Sequence, residues 1–334
     1  MKIFTSVCVI LLFGLMAQQS IAQSKTLLAL SKTEHNLSVV DPSTFKVLAR
    51  MPVGVDPHEV IASADGEMAY VTIYGGGAFH EINVLDLVNK KPLKSIDTRP
   101  LFGPHGIVFE RNKIWFSAEG SKAVGSIDIS NDKLDWSMGT GQDRTHMIYV
   151  TSDAKSIYTA NMSSGSVSIL TGSMFTPPNG SPAREEWTQI LVPVSKGSEG
   201  FDVSPDGKEL WTAASEDGMI SIINLAEKKL DAKIDGKVIG ANRLKFTPDG
   251  KMALVSSLRT GELTIFDVKT RTEKKRIKLG KGAAGILVDT DGSRVFVACS
   301  ADNNIAVIDL KTFEVIQRFE VGGNPDGLAW AISK

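Results

Sequence analysis

The sequence predicts an all-β protein assembled from one four-strand unit used seven times, and three observations carry that expectation. Short apolar runs bounded by turn residues recur along the whole chain. An Asp-Gly pair returns as Asp65-Gly66, Asp206-Gly207, Asp249-Gly250 and Asp291-Gly292, the last three about 42 residues apart, a period that suits one blade of a β-propeller. A polar residue stands each time at the start of the same apolar run. In chain order these residues are His58, His105, His146, Glu199, Asn242 and, after Ala284, Asp326. Asp-Gly fits a type I′ hairpin turn, in which both central residues need positive φ.

The first strands are read in Leu27-Leu28-Ala29-Leu30, Leu37-Ser38-Val39-Val40 and Val47-Leu48-Ala49-Arg50. The unit that follows has four, over 58–62, 68–74, 82–87 and 92–96. Second strands are led by an aromatic in most units, as in Tyr70-Val71-Thr72-Ile73, Trp115-Phe116-Ser117-Ala118, Tyr158-Thr159-Ala160-Asn161 and Trp211-Thr212-Ala213-Ala214. Third strands end in Asp, as in Val84-Leu85-Asp86 and Val307-Ile308-Asp309. The first unit lacks an innermost strand, and the chain ends in one, Gly327-Leu328-Ala329-Trp330-Ala331-Ile332. The expected architecture is therefore a seven-bladed β-propeller of four-stranded blades, its ring closed by the C-terminal strand joining the N-terminal blade, which pairs the edge that blade would otherwise leave open.

These units resemble the YVTN-repeat (YncE-like) family of secreted or periplasmic β-propellers. Phe201-Asp202-Val203-Ser204-Pro205-Asp206-Gly207-Lys208 and Leu244-Lys245-Phe246-Thr247-Pro248-Asp249-Gly250-Lys251 match its pattern best, whereas blades three and four have Arg111-Asn112 and Asp153-Ala154 in place of Asp-Gly. The resemblance covers nearly all of the chain after its leader. It implies the fold more strongly than any one activity, because this repeat serves several.

The chain has 334 residues, of which 42% are hydrophobic and 22% charged, ordinary values for a protein with a packed core. A net charge of -1 gives no electrostatic reason to expect nucleic acid or an anionic membrane as partner. Met1-Lys2, the apolar run Val7 to Met16 and the small-x-small site Ser20-Ile21-Ala22 read as a cleaved signal peptide over 1–22. Residues 23–334 are then a single seven-bladed propeller, periplasmic or secreted, with no membrane span after cleavage. Cys8 leaves with the leader, so Cys299 is the one cysteine kept and no internal disulfide forms. Its expected role is that of a small buried hydrophobe.

Innermost strands of a propeller line a central channel and begin at one mouth, so residues in the same register form a ring. His58, His105, His146 and Glu199 come from four consecutive blades and should share one arc of it. Three imidazoles and a carboxylate suit a divalent transition metal, Zn, Cu, Fe or Mn. Histidine as a metal-free general acid or base, and histidines inherited by blade duplication, are the alternatives. Arg144, Arg243, Asp326, Asn242 and Tyr74 are candidates for supporting the metal or binding substrate, Arg144 and Arg243 by holding a carboxylate or phosphate. Other top loops bring Arg99, Arg259, Glu119 and Glu216. His35 and His80 should open on the same face.

The expected function is that of a metal-dependent oxidoreductase or lyase on a small molecule or saccharide at the top face. Three-histidine sites on propellers of other families imply those two chemistries. Arg144-Thr145-His146-Met147 resembles the Arg-His-Met stretch of propeller lactonases apart from the inserted Thr145, which makes a lactonase-like hydrolase an alternative. A non-catalytic propeller that binds a metal, a ligand or another protein is a third reading. Two departures from the repeat are a Pro-, Gly- and Ser-rich segment over 172–186, expected as a bottom-face loop that could take an envelope protein partner, and Gly75-Gly76-Gly77, expected as a wide turn or a flexible cover on the top face.

Overall fold

The computed structural model describes residues 24–333, in seven four-stranded antiparallel sheets. The signal-peptide expectation for 1–22 lies outside the described residues. Six blades are built from consecutive strands, beginning at Pro57, Pro104, Thr145, Ser198, Ala241 and Ala283. Blade one takes its innermost strand from the other end of the chain. Pro325–Ser333 pairs antiparallel with Ser24–Ser31, aligning Ser24 with Ser333 and Leu28 with Ala329.

Blades stack face to face, and this explains the continuous apolar runs of the middle strands. Both faces of such a strand are buried, so the alternation of a one-faced sheet is lost. In Met68–Ile73, Val71 packs towards Leu28, Leu30 and Ala329 of blade one, and Tyr70 towards Ile107 and Phe116 of blade three. The outermost strands meet solvent, as the mostly exposed Thr272–Lys278 shows. Cys299 is fully buried in the blade-seven core.

Two local expectations are corrected, and of the two readings of Gly75-Gly76-Gly77 the turn holds. The segment 172–186 is in large part sheet. Ser166–Phe175 and Arg184–Pro193 form a ten-residue pair running without a break from Ser166↔Pro193 to Phe175↔Arg184, and only 176–183 makes the turn. Gly172 permits this, because Trp187 lies so close over it that a Cβ there would come within 2.8 Å of the indole.

The Asp-Gly turns are not type I′. Positive φ occurs at Gly66, Gly207, Gly250 and Gly292 and at none of the preceding aspartates. The glycine amide bonds the carbonyl three residues back, 2.8 Å from Gly207 N to Ser204 O. Proline at Pro205 and Pro248 presets the negative φ of a type I turn, which excludes the primed form. Finally, Gly75–Gly77 forms a short 3₁₀ turn packed against neighbouring backbone. A Cβ on Gly120 would lie 2.1 Å from the Gly77 carbonyl oxygen and one on Gly103 2.8 Å from Gly77 Cα.

Candidate functional site

Each innermost strand enters its blade through a bulge. Pairing with the second strand breaks between Pro57 and Val60, Pro104 and Ile107, Thr145 and Ile148, and at the equivalent places in the other blades. The two residues inside the gap, His105 and Gly106 in blade three, are released from the ladder and face the channel. A hydroxyl on the second strand satisfies the freed backbone. Ser117 Oγ accepts from Gly106 N at 2.8 Å and donates to the His146 carbonyl of the next blade. Thr72 joins Glu59 N to the His105 carbonyl, at 3.1 and 2.8 Å, and Ser256 joins Arg243 N to the Ala284 carbonyl, at 3.1 and 2.6 Å. His105 and His146 are thus each pinned by the preceding blade.

The second gap residue is glycine in four blades. A Cβ at Gly106, Gly200, Gly285 or Gly327 would fall 2.2 to 2.9 Å from the next innermost strand, so these glycines let the strands close around the channel. At the same position Glu59 and Arg243 carry long side chains that meet across it. Arg243 Nη2 donates to Glu59 Oε1, and Nη1 to Glu199 Oε1 at 3.0 Å. The arginine side chain is 7% exposed and fills the channel beneath the mouth.

Above it lies a cavity of about 220 Å³. His58, His105, His146, Glu199, Asn242, Arg243, Arg144, Tyr74 and Asp326 all line it, whereas the top-loop residues Arg99, Arg259 and Glu216 do not. Their contacts separate them. His58 and His105 lie with ring centroids 4.5 Å apart, and His105 and His146 3.7 Å apart. His146 stands between two carboxylates, with Nδ1 2.8 Å from Glu119 Oε2 and Nε2 3.3 Å from Glu199 Oε1. Glu199 also accepts from Asn242 Nδ2. His58 turns away, its Nε2 2.7 Å from Lys32 Nζ and 3.1 Å from Asp56 Oδ1, while Lys32 also pairs with Asp326.

The group whose donor atoms come together is His105, Glu119 and His146, all within 4.8 Å of one another. Glu119 was expected only as one of several top-loop residues. It follows the second strand of blade three, and its side chain is 6% exposed. Asp56, Lys32 and Glu59 were not singled out. The signal for Asp56 and Glu59 was their place beside His58 in Asp56-Pro57-His58-Glu59. His35 and His80 line no part of this cavity, and His80 faces Asp97.

Burial pushes the His105 imidazolium well down, and the neighbouring His146 and His58 push the same way, so His105 is neutral. Its Nδ1 is buried without a hydrogen-bond partner. Burial would lower His146 too, but the hydrogen bonds to Glu119 and Glu199 outweigh it and raise its pKa. Glu119, whose burial alone would raise it, is held down to about 2 by His146 and Arg144. Glu199 is likewise kept ionised against burial by His146 and Arg243. Burial, and after it the charge of Glu119, push the Tyr74 phenol up to about 12, so it stays protonated. Around the mouth, Asp56, Glu59, Glu119, Glu199 and Asp326 face Lys32, Arg144 and Arg243, a surplus of two carboxylates.

Such a surplus, two neighbouring imidazoles and an orphaned ring nitrogen fit a divalent cation. Metal–ligand distances of about 2 Å would need the three donors to close from a spread of up to 4.8 Å and one nitrogen of His146 to give up its carboxylate. The arrangement also places a carboxylate, Glu199, beside His146, and a protonated phenol, Tyr74, against the rings of both His58 and His105.

Fold and site define a seven-bladed propeller whose channel is plugged from below and whose mouth is lined by histidines and carboxylates. Residues 210–333 match the family described as YNCE-like beta-propeller, and the seven-bladed ring agrees with that match. No curated protein matches the sequence. Among solved structures the chain is similar to hydrazine synthase of Kuenenia stuttgartiensis, at 20% identity and TM-score 0.67 over 85% of this chain and 92% of that one. It is similar to a putative 6-phosphogluconolactonase from Bacteroides fragilis NCTC 9343, at 16% identity and TM-score 0.73 over 93% and 99%. It also resembles the dihydro-heme d1 dehydrogenase NirN in complex with DHE, at 15% identity and TM-score 0.62 over 91% and 74%. At these identities the likeness is one of fold.

Proposed function

We propose that the mouth holds a divalent transition metal on His105, His146 and Glu119, and that the protein is a metal-dependent enzyme whose small-molecule substrate enters from this face. The observation that carries the proposal is the buried, unpartnered Nδ1 of the neutral His105 beside His146 and Glu119. A lone pair without a donor in a buried site is costly to keep, and a metal would use it. When bound, the metal would polarise a substrate oxygen and acidify a bound water.

The chain's own groups favour proton-transfer chemistry, hydrolysis or elimination. Glu199, kept ionised by His146 and Arg243, would orient His146 and balance positive charge at the mouth. Tyr74, packed against His58 and His105, is the donor that would hold or protonate a substrate oxygen. A lactonase-like hydrolysis agrees with the putative 6-phosphogluconolactonase among the similar structures. A second reading, redox chemistry, is favoured by the donor set itself, since two imidazoles and one carboxylate also suit non-haem iron. The leader signature of residues 1–22 supports action in the periplasm or outside the cell.

Elemental analysis of the protein purified without an affinity tag, beside His105→Ala, tests the proposal. Near-stoichiometric metal lost in the variant is the expected result. Zinc directs the search to lactones and eliminable acids, and iron to oxygen chemistry. Protein free of metal after supplementation, at unchanged folding, would refute it.

A further inference from the structure

We infer that Arg144 is the substrate-recognising residue of the mouth and that the group it recognises is a carboxylate. This rests on the reading of the mouth as a substrate site and names what that site selects.

Two residues before each channel-facing position, the chain turns into the innermost strand through a left-handed residue. This holds in all seven blades. Four blades use Gly103, Gly197, Gly240 and Gly282, with φ between 67° and 76°, and blade one uses Asn324 at 50°. Glycine and asparagine enter this region at little cost. Asp56, at φ 59°, and Arg144, at φ 56°, are the exceptions. Aspartate is tolerated there, whereas arginine has no local hydrogen bond to offset the strain. A strained residue at a position that glycine fills elsewhere in the same ring points to its side chain as the reason.

That side chain is placed for binding. Arg144 Nε donates to Glu119 Oε1 at 2.6 Å, and neither terminal nitrogen has an acceptor among the described residues. The side chain is 48% exposed and lines both the mouth cavity and an adjoining groove of about 400 Å³ rimmed by Gly76, Gly77 and Gly120. The other mouth cations are spent. Arg243 is buried between Glu59 and Glu199, and Lys32 is shared among Asp56, Asp326 and His58. Lys122, in the groove, is paired with Asp143. Among the described residues Arg144 therefore offers the one planar pair of free donors at the junction of cavity and groove, a geometry that matches a carboxylate bidentately. A substrate anchored there by its carboxylate would extend its reacting end over the histidine row.

The test is calorimetric titration with malonate, using malonamide as the uncharged control, on metal-supplemented and on chelator-treated protein. Metal content is measured on the same samples. Wild type is expected to bind malonate and not malonamide in both states. Arg144→Gly, which suits the left-handed position, should weaken malonate about tenfold to a hundredfold. Arg144→Lys, which keeps the charge beside Glu119 and loses the fork, should weaken it about tenfold. Malonate affinity unchanged in both variants, whatever happens to melting, overturns the inference, as does wild type that ignores malonate. Arg144-dependent binding by supplemented protein that still holds no metal would refute the metal proposal and leave this inference standing.

Discussion

The two sides of the channel mouth share a backbone and differ in chemistry. Blades three and six enter their innermost strands through the same bulge, with the same serine bridge: Ser117 holds Gly106 N and the His146 carbonyl, Ser256 holds Arg243 N and the Ala284 carbonyl. At the channel-facing register the first side presents His58, His105 and His146, and the far side presents Asn242 and Ala284. Ala284 is buried at no polar cost. His105 is 1% exposed with an unpartnered Nδ1, a cost the fold does not require of that position. The blade is thus a support indifferent to what it carries, and the first side carries side chains that are costly to bury.

The comparison presupposes a closed ring, and breaking the ring has the largest expected effect. Ending the chain before Pro325 removes the innermost strand of blade one, with Ala329 and Ala331 of its core, and exposes the edge of Ser24–Ser31. The cooperative melting transition should be lost. A truncated protein that melts like the full chain would show that the ring does not need this strand.

Exchange across the channel comes next. His105→Ala should abolish metal retention, while Ala284→His, at the same register opposite, should gain none. Metal analysis of both variants checks this, and equal metal content in the two would erase the distinction between the arcs.

The serine bridges are a finer cut. Ser117→Ala and Ser256→Ala each orphan one amide and one carbonyl, and each should cost about 1 to 3 kcal/mol in denaturant unfolding. Only Ser117→Ala should also weaken metal binding, because only its carbonyl partner belongs to a histidine.

The smallest effect is a pH dependence found on one arc. In chelator-treated protein, Glu119 and Glu199 raise the His146 pKa above the model-peptide 6.5. A raised folded pKa contributes stability fully below 6.5 and loses it as pH climbs through the folded value. The stability deficit of His146→Gln should therefore be greatest below pH 6.5 and shrink at higher pH. A deficit that does not vary with pH would place the imidazole outside the Glu119–Glu199 pair.

Much of this was legible in one dimension. Seven returns of the same junction into an apolar strand, six of them with a polar residue, predicted seven blades, and the orphan strand after Pro325 predicted the closure. The shared register predicted that His58, His105 and His146 would meet. Turn chemistry was read less well: Asp-Gly drew attention from Pro205 and Pro248, whose fixed φ decides the turn type. The run 172–186 looked like a loop by composition, although Thr171↔Thr188 continues into Gly172↔Trp187 without a break.

The repeat by itself determined the architecture and the register of every channel-facing residue, because a period specifies position within a blade. It did not specify which side chains reach one another across the channel. Glu119 rather than Glu199 closes the donor group with His105 and His146, and Arg243 crosses to Glu59, 184 positions away in the chain. These pairings follow from distances between loops and strands of different blades, set by how closely the glycine-lined strands pack. The left-handed turn at Arg144 belongs to the same class: its oddness appears only once all seven junctions are seen to share one backbone conformation.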